Sequence, residues 1–332
     1  MPLAPKSLIS IDEPASFRLL EPHSLEEAAR MLEQHGPEAE LLAGGCDLLE
    51  KIKTQWARPQ FVVNLKTVQG LRTVSTGDIG ALATLSQVAR NTALPVALRQ
   101  AAGRVASPQI RNVGTLGGNL LQDSRCPYYR GPWNCYRAGG NTCDALRGFT
   151  YEHALWGGER CFTVSPSDTA PALVALGAEV EVFAPGDALR CMPIEKLFAL
   201  PSFDITCMHT LARGEILTRI LLPRHNPHSC RSAFRKAAMR ESWDFALASV
   251  AVCLEMEGEV CREARVVLGA VAPVPWRATQ AEAVLRGGRL RDRIEDAARA
   301  ATAGAQPLPH NAYKIGLVRG LVREALGEIA EV

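Results

Sequence analysis

Apolar and polar positions follow two periods along this chain, and they change places several times. Phe17-Arg18-Leu19-Leu20 predicts a short strand. Ser24-Leu25-Glu26-Glu27 sets a hydroxyl three residues before a carboxylate, the pattern of a capping box, and a helix is expected through Ala28, Met31 and Leu32. Glu40 to Ala43 predicts a strand that runs into Gly44-Gly45, and Asp47 to Ile52 a short helix. Phe61-Val62-Val63-Asn64-Leu65 predicts a buried strand, and Leu71 to Leu82 a hairpin through Thr76-Gly77-Asp78. Leu85 to Asn91 and Val96 to Val105 carry helical spacing.

Between residues 107 and 165 the periodicity vanishes. Glycine is dense there, and Tyr128, Tyr129, Trp133 and Tyr136 sit among cysteines. A loop of this length in a compact domain is usually functional. Regular pattern resumes with a helix after Ser167-Asp168, a strand from Glu179 to Phe183 and a turn at Pro185-Gly186-Asp187. Ala246 to Met256 and Val260 to Val271 predict a long antiparallel hairpin, followed by helices over Ala278–Leu285, Asp292–Ala303 and Ala312–Leu326. Pro223-Arg224-His225-Asn226-Pro227 punctuates the chain and suggests a boundary near residue 229. No internal repeat is present.

At 332 residues the chain is long enough for two or three packed units. Apolar residues at 47% and charged residues at 22% are ordinary for a globular protein and exclude disorder. Lys plus Arg number 37 and Asp plus Glu 35, so the net charge is +2 and bulk electrostatics favour neither nucleic acid nor a membrane surface. No apolar stretch is long enough to span a bilayer. Met1-Pro2-Leu3-Ala4-Pro5-Lys6 lacks the apolar core of a signal peptide, so a cytoplasmic chain is expected, periplasmic only if carried out by a signal-bearing partner.

Two glycine loops share one physics. Leu42-Ala43-Gly44-Gly45-Cys46-Asp47-Leu48 follows a strand and opens a helix; Gly114-Thr115-Leu116-Gly117-Gly118-Asn119 lies beyond Ser107-Pro108. Successive N–H groups in such turns can form an anion-binding concavity, and a pair of them suits a diphosphate. Ordinary glycine turns remain the alternative. Neither loop has the Rossmann or P-loop pattern, so a dinucleotide would be bound on another fold.

Of the ten cysteines, four fall in one segment as Cys126-x8-Cys135-x7-Cys143-x17-Cys161. Zinc sites generally use closely spaced cysteine pairs, and this segment has none. Four thiolates on a wide loop can wrap an iron–sulfur cube, with backbone N–H groups of Gly131, Gly139, Gly140 and Gly157 toward the sulfurs and the aromatics excluding water. On spacing alone, an iron–sulfur cluster, zinc and free thiols all stay open. Cys46, Cys191, Cys207, Cys230, Cys253 and Cys261 read as small hydrophobes, with Cys253 and Cys261 facing each other across the hairpin. His153, His209 and His310 read as surface or capping residues, and no acid–base constellation for substrate chemistry is visible. Cofactor sites without a substrate site suggest electron transfer.

Five separated motifs, in order, carry a resemblance. They are Ala43-Gly44-Gly45-Cys46-Asp47-Leu48, Ser107 to Asn119, Pro166-Ser167-Asp168-Thr169-Ala170-Pro171-Ala172-Leu173, Phe234 to Glu241 with Asp244-Phe245-Ala246, and Asn311-Ala312-Tyr313-Lys314. Over nearly its whole length the chain resembles the FAD-binding medium subunit of the molybdenum hydroxylases, the xanthine dehydrogenase and carbon monoxide dehydrogenase family. Its cysteine segment resembles the insertion that holds a [4Fe–4S] cluster in the flavin subunits of 4-hydroxybenzoyl-CoA reductase and bacterial aldehyde oxidoreductase. Arg125-Cys126-Pro127-Tyr128-Tyr129 and Gly148-Phe149 with His153-Ala154 look closer to the aldehyde enzyme.

The resemblance implies an α+β fold. Residues 1–228 would form a two-subdomain FAD-binding domain of the vanillyl-alcohol-oxidase type, with the cluster insertion at about 122–165, and residues 229–332 a CO dehydrogenase flavoprotein-like C-terminal α+β domain. It implies FAD held by Leu42, Ala43, Gly44, Gly45, Cys46, Asp47 and Leu48, by Ala106, and by Gly114, Thr115, Gly117, Gly118 and Asn119, with the pyrophosphate on the two loops. Asp123 and Asp168 would bond the nucleotide or its surroundings, and Leu217 and Lys236 would lie near the adenine or the isoalloxazine. Cys126, Cys135, Cys143 and Cys161 would ligate the cluster. Cys46 departs from the hydroxyl or polar residue common in the family; a thiol is a weaker donor, so backbone N–H groups would carry more of the phosphate.

The implied partners are a molybdopterin-binding large subunit, a small [2Fe–2S] subunit and an external carrier that is ferredoxin, NAD or quinone-linked. No catalytic residue is expected in this chain. The substrate class would be an aldehyde, an aromatic acyl-CoA or an N-heterocycle. A stand-alone flavoprotein oxidoreductase and a zinc-stabilised scaffold subunit are the alternatives.

Overall fold

The computed structural model describes residues 16–186, 188–223 and 230–331. The N-terminal Met1–Lys6 segment, Asp187 of the expected turn and the expected boundary at residue 229 lie outside them.

The first body contains β1 (Arg18–Leu20), α1 (Leu25–His35), β2 (Ala39–Leu42), α2 (Leu48–Lys53) and β3 (Phe61–Asn64). Its three strands are parallel in the order β1-β3-β2. Ala28 and Leu32 of α1 pack on Val63 and Leu65. The Ser24 hydroxyl accepts from the Glu27 N–H at 3.1 Å, as expected. The return bond of the box is redirected: the Glu27 carboxylate accepts from the N–H of His23 at 2.7 Å.

The second body holds β4 (Asp78–Gly80), α3 (Leu85–Arg90), α4 (Val96–Gly103), α5 (Pro108–Val113), α6 (Leu116–Leu120), α7 (Pro127–Arg130), α8 (Thr169–Ala175), β5 (Glu179–Ala184), β6 (Ala188–Pro193) and β7 (Ile216–Leu221). The strands are antiparallel in the order β4-β7-β5-β6. The expected hairpin over 71–82 is present: Ser75 N–H donates to the Asp78 carbonyl at 2.8 Å, Gly80 N–H to the Thr73 carbonyl at 2.8 Å and Leu82 N–H to the Leu71 carbonyl at 2.7 Å, around the antiparallel bridge of Val74 to Ile79. On its other edge the hairpin joins the sheet, where the fully buried Ile79 takes Ile220 of β7 as its cross-strand partner. The segment without periodicity contains α5, α6 and α7, each too short to show a period. Their caps show instead: the Ser107 hydroxyl accepts from Ile110 N–H and the Thr115 hydroxyl from Gly118 N–H.

The third body contains β8 (Cys230–Ala237), β9 (Ala248–Glu257), β10 (Val260–Gly269), β11 (Trp276–Arg277), α9 (Thr279–Leu285), α10 (Leu290–Ala300) and α11 (Tyr313–Glu331). The sheet order is β11-β10-β9-β8. In β9 the alternation of side chains divides one apolar run between two cores. Ala251 and Cys253 face the second body, with Leu98 of α4 and Leu173 of α8. Val250, Val252, Leu254 and Met256 face Val318, Leu321, Val322 and Leu326 of α11. A strand buried on both faces reads as a continuous apolar run, and this one clamps the third body onto the second.

The hairpin register corrects one expectation. Cys253 pairs with Arg265 and Cys261 with Met256, so the two cysteines do not face each other. The sulfur of Cys253 lies instead 3.2 Å from that of Cys230 on β8. Among the described residues no helix is long and apolar enough to cross a membrane.

Candidate functional site

The first glycine loop joins β2 to α2. Gly45 has a φ of 82°, which sends the chain back on itself. Among the described residues, the N–H groups of Gly44, Gly45, Cys46, Asp47 and Leu48 donate to no protein acceptor. Five successive free amides at a strand-to-helix bend are what an anion cradle needs. Burial pushes the Cys46 thiol up, so it stays protonated.

The second loop is used differently. Gly114 donates to the Ile110 carbonyl, Leu116 to Ala83, Gly117 to Ala81 and Gly118 to the Thr115 hydroxyl. Its contribution is close packing. A Cβ on Gly44 would stand 2.4 Å from the Val113 carbonyl oxygen and 3.0 Å from Gly114 Cα. The two loops therefore meet backbone to backbone, and only glycine permits it. A cofactor diphosphate fits this place: the first loop supplies the donors and the second the wall.

The polar residues behind the loops are tied to one another. Asn119 Oδ1 accepts from the Ser167 hydroxyl at 2.7 Å and the Thr169 hydroxyl at 2.6 Å. Lys236 Nζ donates to Asp168 Oδ2 at 2.6 Å, to the Arg104 carbonyl at 3.2 Å and to the Asp244 carbonyl at 2.9 Å. Burial pushes the Asp168 carboxyl up, with Lys236 opposing. All three lysine protons are taken by protein, so Lys236 and Asp168 act by holding β8 against α8. Leu217 of β7 is buried in the core of the second body. Ala106 has a φ of 40°, and its carbonyl accepts from Trp243 N–H at 3.0 Å. The side chains of Met239, Trp243 and Phe245 in the segment after β8 are exposed. The guanidinium of Arg125 lies 5.3 Å from the Phe245 ring centroid.

Charged side chains connect the first loop to the cysteine segment. Asp47 pairs with Arg125 at 2.9 Å and Arg130 at 2.8 Å, and accepts from Asp123 N–H at 2.8 Å. Asp123 in turn takes Lys51 at 3.2 Å, Arg137 at 2.9 Å and the Tyr129 hydroxyl at 2.9 Å. Burial alone would raise the Asp123 carboxyl; Arg137 and Lys51 outweigh it and hold it down to about 2. Asp47 and Asp123 thus serve the frame between the two sites.

The four cysteines share one neighbourhood. Cys135 and Cys143 form an isolated antiparallel bridge. Burial pushes Cys126 up to about 12, with Cys135 and Cys161 adding to it, and it also raises Cys143 and Cys161. Backbone N–H groups oppose the rise: Tyr129 and Tyr128 at Cys126, Ala145 and Phe162 at Cys143, Thr163 at Cys161. Of the glycines expected in this role, Gly139 and Gly140 donate instead to the carbonyls of Tyr136 and Cys135. Tyr129 is buried, but Trp133 is 52% exposed and shields little. Among the described residues no three His, Cys, Asp or Glu groups converge as ligands of a single ion.

Sequence reasoning set His153 aside. It is buried, and its Nε2 lies 3.4 Å from Cys126 Sγ. Burial, with Lys314 nearby, brings the imidazole down to about 4, so the ring is neutral. Its Nδ1 and the Nε of Arg137 are buried without a partner among the described residues. Position between the third and fourth cysteines was the one signal for His153.

Comparison with known proteins settles what class of protein has this pair of loops. Residues 15–225 match the FAD-binding domain in molybdopterin dehydrogenase, and residues 232–329 the CO dehydrogenase flavoprotein C-terminal domain. The chain belongs to the FAD-binding subunits of the molybdenum hydroxylases, the xanthine dehydrogenase family of oxidoreductases. It is 33% identical over 313 residues to the aldehyde oxidoreductase FAD-binding subunit PaoB of Escherichia coli, covering 90% of this chain and 94% of that protein. It is 28% identical to the carbon monoxide dehydrogenase medium chain of Hydrogenophaga pseudoflava, covering 94% and 96%. The structure of reconstituted CO dehydrogenase from Oligotropha carboxidovorans matches with a TM-score of 0.74 and 26% identity, covering 96% and 99%. The α+β architecture, the C-terminal domain type and the FAD cofactor agree with the expectations from sequence.

Proposed function

We propose that this chain is the FAD- and [4Fe–4S]-binding electron-transfer subunit of a molybdenum hydroxylase complex. In this reading it passes electrons between a [2Fe–2S] subunit and an external carrier, with substrate chemistry on a molybdopterin-binding subunit. Bound FAD supplies the exchange of electrons singly or in pairs. The amides of residues 44–48 receive the diphosphate, and the neutral Cys46 thiol adds no repelling charge. Lys236 and Asp168 hold the third body against the cradle.

The observation that carries the cluster is the set of four free thiols gathered in one segment, three of them faced by backbone N–H groups. A tetrahedral zinc at about 2.3 Å from each sulfur would need sulfurs about 3.8 Å apart. Among the described residues no three such groups converge on one ion, whereas a cube takes its four cysteines at four separate irons. Burial favours the protonated form of Cys126, Cys143 and Cys161, so loading releases protons. Similarity to an aldehyde oxidoreductase subunit favours an aldehyde over an acyl-CoA or N-heterocycle, and the cytoplasm is the expected compartment unless a partner directs export.

The test uses the complex purified with its partner subunits under nitrogen. Iron and acid-labile sulfide beyond the content of the [2Fe–2S] subunit are expected, with a reduced-state EPR signal that Cys135→Ser removes while FAD stays bound. Zinc without that extra iron and sulfide would make the chain a scaffold. Turnover of small substrates by this subunit alone would make it a stand-alone oxidoreductase.

A further inference from the structure

We propose that Arg137 is the outer cation of the cysteine-held centre, a buried guanidinium that favours its more negative state and so sets the potential at which it takes an electron. This rests on the cluster reading above. Arg137 lies on the short turn Tyr136–Ala138, between Cys135 and Cys143. Its side chain is 4% exposed. Two points of the fork are fixed: Nη2 donates to Asp123 Oδ1 at 2.9 Å and Nη1 to the Ile205 carbonyl at 3.1 Å. The guanidinium lies 5.1 Å from the Tyr129 ring centroid. The remaining face is the informative one. Nε is buried with no partner among the described residues. A buried donor left unmade is costly, and an anionic sulfur is the acceptor such a donor calls for.

The charge is carried among the cysteines by the backbone: Arg137 stands two residues beyond Cys135, and the Cys135–Cys143 bridge closes the segment that holds it. One-electron reduction, delivered in the test by a chemical reductant, makes and breaks no bond at the centre and adds one negative charge. A fixed cation in a low-dielectric setting favours that state, and hydrogen bonds to the sulfurs act in the same direction. Asp123 holds the guanidinium in place and partly offsets its charge. The two residues therefore have opposite effects, which a purely structural pair would not have.

The test is a redox titration of the complex followed by EPR, with iron and sulfide measured on each sample. Arg137→Gln is expected to lower the midpoint so that the reduction equilibrium weakens about tenfold, equivalent to about 59 mV for a one-electron couple. Arg137→Lys should restore most of this, and Asp123→Asn should move the midpoint upward. If Arg137→Gln fails to load, Asp123→Asn decides: an upward move supports the assignment, and an unchanged or lower midpoint overturns it. A loaded Arg137→Gln centre with the parent midpoint also overturns it. A parent complex without the extra iron, sulfide and signal would remove the cluster itself, a failure recognisable before any variant is made.

Discussion

The flavin cradle and the cysteine segment are neighbours built on opposite principles. In the cradle, side chains are satisfied by other side chains: Asn119 by Ser167 and Thr169, Asp168 by Lys236. What is left free is backbone, the five amides of residues 44–48. In the cysteine segment backbone N–H groups face the thiols, and side-chain nitrogens of Arg125, Arg137 and His153 are buried without a partner among the described residues. The lesson is that an anion site of fixed shape can be prepared by chain geometry alone, whereas a thiolate centre adds buried side-chain charge and donors to its backbone amides. On the reading proposed above, the cradle is complete before its ligand arrives, and the cysteine segment would be completed by the cluster it encloses.

The largest expected effect tests the cradle's buried pair. Both members of Lys236–Asp168 are nearly inaccessible, at 3% and 6% side-chain exposure. Lys236→Met leaves a buried carboxylate unpaired and frees the Arg104 and Asp244 carbonyls, so thermal or denaturant unfolding should show a loss of about 4 kcal/mol. Replacing both residues by a methionine and an asparagine should recover part of it. A single-variant loss within about 0.5 kcal/mol would mean that the pair does not hold β8 to α8.

Next is the contact between loops. Gly44→Val sets a side chain against the Val113 carbonyl and Gly114, which are backbone and cannot rotate away. Overpacking there should cost about 3 kcal/mol and lower the flavin-to-protein ratio of the purified chain at least about tenfold. The iron content should fall far less, because the charged links from Asp47 and Asp123 do not pass through Gly44. Equal loss of both cofactors would dissolve the distinction drawn between the two regions.

Much of this was readable in the residues, for physical reasons that differ by element. Long periodic segments announced themselves: α1, the β9–β10 hairpin and α11 follow from side-chain alternation over ten or more positions. Strands β6, β7 and β8 were not legible. β6 alternates half-buried and exposed positions, and β8 carries Arg231, Arg235 and Lys236 among its apolar residues, so neither shows a clean apolar face. The glycine loops were legible as turns able to present amides to an anion, but that only the first leaves its amides free was not. Which amides are free depends on the carbonyls of Ala81 and Ala83, thirty residues away in sequence. The cysteines were visible as a group, while His153 and Arg137 became visible only when folding brought them against it.

The smallest effect separates the two regions by acid. The Asp123 carboxyl titrates at about 2 in the folded chain, against 3.8 for a free side chain, because Arg137 and Lys51 outweigh its burial. Between those values the unfolded chain binds the proton and the folded chain does not, so stability rises with pH there. The contribution is whole above about pH 4 and is lost as pH falls toward 2, a total of about 2 kcal/mol. Denaturant unfolding of parent and Asp123→Asn chains across this interval should show the extra slope in the parent alone. The loss concerns the frame that joins α2 to the cysteine segment. The cradle's amides have no proton to gain, so the loop around Tyr128 and Trp133 should loosen in acid before the contact between Gly44 and Val113 opens. Parallel slopes in the two proteins would show that the Asp123 frame carries no such load, and the segment would then owe its position to the packing of Tyr129 and Ala145 instead.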